Sequence, residues 1–168
     1  LPGTVDETAH AVTQRGGQGV AVRCDHTVEA DVEALVDRIQ RDHGRLDVLV
    51  NNAWGGYEHF QWQTFASPFW QQPMDHWPRM FEAGVRANLL TSRLAAPLML
   101  PQRRGLIVHT TAWDRDKYLK NMFYDLAKSA AARMAFGMAE ELAPHNVAVV
   151  ALAPGFVGTE RIRAMFAA

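Results

Sequence analysis

Apolar positions along the chain alternate between short β-branched runs and longer stretches at helical spacing. Gly19-Val20-Ala21-Val22-Arg23-Cys24 predicts a strand. Val32, Leu35, Val36 and Ile39 follow at the spacing of one helix face, with Thr27 as N-cap, Glu29 and Asp31 in the first turn and Gly44 as the stop. Leu46-Asp47-Val48-Leu49-Val50 predicts a buried strand that runs into Asn51-Asn52-Ala53. A long loop from Trp54 to Pro73 leads to a helix capped by Asp75 and carrying Met80, Phe81, Val85, Leu89 and Leu90; Pro78 is tolerable in its first turn. Leu106-Ile107-Val108 continues through His109 to Thr110-Thr111 as a third strand. A helix spans about Asn121 to Ala143, closed by Pro144, and Val147–Leu152 forms the last strand before Pro154-Gly155.

Strict alternation of strand and helix predicts an α/β fold, a doubly wound parallel sheet with helices on both faces. Ligands in such sheets bind beyond the carboxyl ends of the strands. Those ends carry Asp25, Asn51-Asn52, Thr110-Thr111 and Pro154-Gly155. Strands must end somewhere, but this run of small polar and turn residues favours a site along that edge. The 168 residues fit a single domain, 1–168. Lys+Arg 17 against Asp+Glu 18 gives a net charge of −1, which offers no electrostatic footprint for nucleic acid or an anionic membrane. Cys24, the one cysteine, excludes a disulfide framework and points to a reducing, cytoplasmic setting. No run approaches the roughly 18 apolar residues of a membrane span. The first residues, from Leu1, lack an initiator Met and open in mid-pattern.

The chemistry concentrates in Tyr124-Asp125-Leu126-Ala127-Lys128. Positions i and i+4 share a helix face, so phenol and ammonium can lean toward one point. A free tyrosine, with pKa about 10, is a poor acid–base group at neutral pH. Lowering it by about three units requires roughly 4 kcal/mol. One cation about 4 Å away at an effective dielectric of about 20 supplies that much. The plainer alternative is a solvated lysine beside a half-buried tyrosine. Thr111 at a strand exit thirteen residues earlier, and Asn88 inside the preceding helix, where asparagine is disfavoured, add context.

Together with Asn51-Asn52-Ala53 and Pro154-Gly155-Phe156-Val157-Gly158-Thr159, these residues resemble the short-chain dehydrogenase/reductase family, in order and spacing over nearly the whole chain. The resemblance implies a Rossmann-like fold, incomplete at the amino end because the first strand–helix unit and second strand are absent. It implies NAD or NADP as cofactor and a carbonyl or alcohol as substrate. Tyr124 would be the general acid–base, Lys128 would lower its pKa and hold the nicotinamide ribose, Thr111 would bond the substrate oxygen, and Asn88 would hold a relay water. Asp25, Asn51, Asn52 and Ala53 would line the adenosine side, and Pro154, Gly155, Val157 and Thr159 the nicotinamide carboxamide and pyrophosphate.

Two departures stand out. Ala53-Trp54 replaces the family's Ala-Gly, and the Gly-rich phosphate turn is missing. Gly16-Gly17-Gln18-Gly19 is an ordinary turn, since it precedes a strand instead of following one. Two absent strands would leave a gap of roughly 10 Å or more in the sheet. The expectation is therefore a native protein longer at its amino end, with cofactor affinity impaired in this chain. A non-catalytic Rossmann-like remnant or oligomerisation module is the rival reading.

The loop from Trp54 to Pro73 crowds Trp54, Tyr57, Phe60, Trp62, Phe65, Phe69 and Trp70 beside the expected site. It suits either an apolar wall for a small hydrophobic substrate, with Trp113 and Phe156 completing the pocket, or packing against its own domain or another subunit. The seven histidines show no pair at metal spacing, and no metal site is expected. His109 reads as a strand residue rather than a base. Ser67, Ser92 and Ser129 lie in no nucleophile elbow. The Ala- and Met-rich face around Ser129–Met134 is core, or by the resemblance an interface in a homodimer or homotetramer.

Overall fold

Three strands form one parallel sheet in the order β1 (Val48–Asn51), β2 (Gly105–Thr110), β3 (Val147–Leu152). The structure, a computed structural model, describes residues 3–57, 62–112, 117–155, 157–159 and 163. The chain divides into two units, one of Leu1–Asp25 with Phe156–Ala168 and one of His26–Gly155.

The first unit contains α1 (Val5–Gln14). The Thr4 hydroxyl accepts from the Glu7 amide at 3.1 Å and the Glu7 carboxylate accepts from the Thr4 amide at 2.9 Å, a reciprocal cap that satisfies two orphan donors. The predicted strand at Gly19–Cys24 does not form. Residues 18–25 take no regular structure, because a strand exists only where a neighbour completes its ladder and none of the three strands pairs with this segment.

The second unit begins with α2 (Glu29–His43), which starts one residue later than the pattern suggested. Its N-cap is Val28, with no side-chain cap, so Thr27 does not serve. Gly44 ends the helix in the left-handed region, φ 67°, where glycine carries no steric penalty. The long loop contains α3 (Trp62–Phe65) and a 3-10 turn at Phe69–Gln71. Asp75 does not cap the next helix; its carboxylate pairs with Arg79 at 2.7 Å. That helix is two-phased. Pro78–Arg86 is π-helical, closed by the Ala87 amide donating to the Glu82 carbonyl, and α4 (Ala87–Ala95) continues it. Such π segments collect at functional sites. Helix α5 (Met122–Leu142) is capped by Asn121, whose side-chain oxygen accepts from the Tyr124 amide at 2.9 Å.

The core lies on one face of the sheet. Ile107, Val147 and Val149 pack against Met99 and Ala135, with Leu49, Ala96 and Met138 at the margin. The row Leu49–Ile107–Val149 therefore faces α5 and the end of α4. The opposite face bears Val48, Val50, Val150 and Leu152, all about half exposed. Val108, between Val50 and Val150 on that face of the central strand, is buried.

A polar cluster is sealed beside this core. Asn51 donates to the Ser92 hydroxyl at 2.8 Å, and its amide nitrogen lies 3.5 Å from Nδ1 of His109. His109 is wholly buried, and its Nε2 has no hydrogen-bond partner among the described residues. Burial holds its pKa below the ordinary 6.5. The unfolded chain thus binds the proton that the folded chain refuses, and this contribution to stability is present above about pH 6.5 and lost as pH falls. Thermal unfolding from pH 7.5 to about 5 should show a steeper loss of Tm in the wild type than in His109→Asn. Parallel curves for the two proteins would show that His109 carries no such linkage.

Candidate active site

The parallel register aligns the strand exits. Asn51, His109 and Ala151 share one row, so Asn52, Thr111 and Ala153-Pro154 leave the sheet along one edge. The Thr111 amide extends the ladder by donating to the Leu152 carbonyl at 2.9 Å. Its hydroxyl donates to the backbone carbonyl of Lys128 at 2.8 Å, tying the β2 exit to α5. Asn88, buried at the start of α4, donates to the Gly84 carbonyl at 2.6 Å, and its own carbonyl accepts from Ser92 at 2.8 Å. Ser92 thereby links Asn88 to Asn51.

Tyr124 and Lys128 lie one turn apart on α5. Tyr124 packs edge-on against Trp54 and Phe65, with ring centroids 5.6 Å away in each case. The Lys128 ammonium sits 3.8 Å from the Trp54 ring centroid and 5.6 Å from that of Tyr124. Lys128 makes no ion pair among the described residues, and burial lowers its pKa to about 8. The phenol moves opposite to the expected depression. Burial first, then the charge and hydroxyl of Tyr57, push Tyr124 above the usual phenol range. A hydrogen bond that raises an acid's pKa favours its neutral form.

The indole of Trp54 has a dedicated slot. A Cβ at Gly56 would meet it at 2.6 Å, and one at Gly84 would collide with its six-membered ring. Trp54 also lies edge-on to Tyr57 at 6.2 Å, and its Nε1 is buried with no hydrogen-bond partner among the described residues. Phe65 joins Met80, Phe123 and Ala127 in a buried cluster, whereas Phe69 and Trp70 stay exposed. The described rings of the aromatic loop are thus split, Trp54, Tyr57 and Phe65 packing around Tyr124 and Phe69 and Trp70 facing solvent; Phe60 and the Trp62 side chain lie outside what the structure describes.

The other expected residues are dispersed. Asn52 and Ala53 are exposed at the β1 exit, and Pro154 and Gly155 at the β3 exit, Gly155 with φ 72°. Asp25, Val157 and Thr159 belong to the first unit; the Thr159 amide donates to the Val157 carbonyl at 2.8 Å. Trp113 and Phe156 lie outside the described residues. Two residues were not expected at the site: Ser92, whose helical spacing from Asn88 was its one signal, and Gly84; Tyr57 was expected only as part of an apolar wall, not as a hydroxyl acting on Tyr124. Among the described residues no cluster of three or more His, Cys, Asp or Glu could hold a metal, and no helix is long and apolar enough to cross a membrane.

A three-stranded parallel α/β sheet with a Tyr–Lys pair on its helix and an Asn and a Thr near its carboxyl edge has the architecture of an incomplete Rossmann-like fold. The chain belongs to the short-chain dehydrogenase family, whose model matches residues 2–167. It is 37% identical over 165 residues to mouse dehydrogenase/reductase SDR family member 1, covering 98% of this chain and 52% of that protein. The chain spans about half the length of the curated relatives it matches. Among solved structures it resembles a 7α-hydroxysteroid dehydrogenase complexed with NADH and 7-oxo glycochenodeoxycholic acid, with TM-score 0.79 and 31% identity over 95% of this chain and 60% of that one. It also resembles a metagenomic short-chain oxidoreductase in complex with NADP, with TM-score 0.78 and 26% identity over 97% and 71% of the two chains.

The slot makes a direct prediction. Gly84→Ala should destabilise the protein by about 1–3 kcal/mol through overpacking against the indole. Adding Trp54→Leu should recover much of that loss, because the two side chains then no longer compete. Additive effects in denaturant unfolding would mean that the indole does not occupy this slot.

Proposed function

We propose that the protein is an NAD- or NADP-dependent oxidoreductase that interconverts a small apolar alcohol and its carbonyl compound, with Tyr124 as general acid–base. The observation that carries this reading is the half-buried Tyr124 beside the buried Lys128 at the sheet edge, with an ammonium that has no anionic partner among the described residues. A buried cation lacking acceptors suits an incoming sugar bearing hydroxyl groups, and the residues present therefore fit the nicotinamide-ribose end of such a cofactor. Lys128 would hold the ribose, with Pro154 and Gly155 beside the carboxamide and Asn52 and Ala53 on the adenosine side, while the side chain of Asn51, buried against Ser92, would support that turn from below instead of touching the cofactor. The chemistry the bound cofactor supplies is hydride transfer to or from the substrate carbon.

The chain's own residues handle the proton and the apolar surroundings. In the reductive direction a neutral phenol is the required acid, and the burial that raises Tyr124 keeps it neutral. Its O–H bond breaks as the substrate oxygen takes the proton, and the Lys128 charge stabilises the phenolate left behind. In oxidation the same atoms run in reverse. Thr111 has its hydroxyl proton on the Lys128 carbonyl, so in this arrangement it anchors the strand exit to α5 and its oxygen accepts. Bonding the substrate oxygen would require that hydroxyl to turn. Trp54 and Phe65 give Tyr124 an apolar wall, in keeping with a hydrophobic substrate. Leu126 and Phe136 remain about half exposed on α5 and support assembly through that helix.

Tyr124→Phe in the full chain should lower turnover by about 10²–10⁴-fold, the worth of a positioned acid–base group, and leave cofactor affinity within about twofold. Retained turnover would remove Tyr124 from the mechanism. Lys128 generates a pH prediction. Its ammonium donates to the ribose while charged, so cofactor affinity should fall as pH rises through about 8. Lys128→Met should bind more weakly and lose that alkaline decline. A decline that persists in Lys128→Met belongs to another group.

A further inference from the structure

The family's glycine after Ala53 is here Trp54, and three observations give that indole a task. Its face lies 3.8 Å from the Lys128 ammonium, inside the roughly 6 Å range of a cation–π contact. The indole cannot turn freely, being lodged against Gly56 and Gly84 and edge-on to Tyr57 and Tyr124. Lys128 forms no ion pair among the described residues, so of the two rings within reach the much nearer indole face is the main group that offsets its desolvation.

We propose that Trp54 is the positioning residue of Lys128: its indole face seats the ammonium, keeps it charged inside the protein and fixes its height above the Tyr124 ring. An ammonium has three N–H donors, and with the indole on one side the others stay available to the site. The inference rests on the function proposed above for the use of the ammonium, but not for the contact itself. Among the described residues, the titratable side chains packed against the pair are Tyr57 from the turn and Tyr124 from α5; the π-helix meets the indole at Gly84, which does not titrate.

The contact is read without cofactor, by tryptophan emission of the full chain against pH. Five tryptophans emit, and subtracting the Trp54→Phe trace isolates Trp54. Its emission should change with a midpoint at about 8, and Lys128→Met should abolish that change. A change that survives in Lys128→Met, or its absence in the wild type, overturns the proposal. Cofactor affinity supplies the second reading. Trp54→Phe keeps an aromatic face and should bind within about threefold of wild type. Trp54→Leu should bind about 2- to 30-fold more weakly, the worth of a desolvated cation–π contact, with its alkaline decline moved to lower pH. Equal affinities in all three proteins, or equal losses in the Phe and Leu variants, contradict a role for the π-face. Where Trp54→Leu does not fold, the emission comparison decides. Failure of every form to bind cofactor would count against the proposed function and leave the emission result standing.

Discussion

The parallel ladder does more than hold β1, β2 and β3 together. Because Asn51, His109 and Ala151 lie in one hydrogen-bonded row, the backbone leaves all three strands at the same height. Polar side chains far apart in sequence then arrive at one edge with no loop having to reach for another. Slipping the register by one residue would place Leu49, Ile107 and Val149 on the open face and Val50, Val108 and Val150 against α5. The Met99–Ala135 core forbids this, because Ile107 and Val147 are fully or almost fully buried there. Core packing thus sets the position of the site. The hydroxyl of Thr111 passes that position on to α5 by bonding the carbonyl of Lys128 itself.

Within the site, the decisive competition is between desolvation and charge. A cation about 6 Å away at an effective dielectric of about 20 is worth roughly 3 kcal/mol to a phenolate. That help exists only while the amine is charged. An amine that titrates near 8 is neutral throughout the alkaline range in which a buried phenol would ionise. Lysine therefore cannot acidify tyrosine unless something first stabilises the ammonium. Acceptors from a bound sugar would do so, and the indole face does so in part. The raised phenol and the lowered amine are two consequences of one dry environment, and they couple only when that environment gains a partner for the cation.

Much of this was legible in the sequence. The spacing of Val32, Leu35, Val36 and Ile39 gave α2, and β1, β2, β3 and α5 lie where β-branched runs and helical periods put them. Tyr124 and Lys128 share a face because i and i+4 must. The strand expected at Gly19–Cys24 failed for a non-local reason: β-branched composition reports a preference, whereas a strand requires a neighbour. Helix α1 was missed although Thr4 and Glu7 spell a capping box, since no buried stripe follows it. The π segment at Pro78–Arg86 was invisible because Met80, Val85 and Leu89 read equally well on an unbroken α-helix. Thr27 and Asp75 are good capping residues by type, but the helices begin at Glu29 and Pro78, and a cap works only at the boundary.

Trp54 shows why local reading stops short. Taken alone, an indole in place of glycine stiffens a turn and crowds a cofactor wall. In the folded chain it points elsewhere, into a slot that exists because position 84, thirty residues on, has no side chain, and because Gly56 permits the turn to fold over it. Gly84 also lends its carbonyl to Asn88, so the residue that makes room for the indole anchors the next polar member of the site. The three positions act as one unit. Filling either glycine would displace the indole from its present contacts with Lys128 and Tyr124, and removing the indole would take away the ring beneath a buried amine. A substitution that looks like a loss of the family pattern is better understood as one part of a rearranged support, in which an aromatic face sits beneath the buried cation.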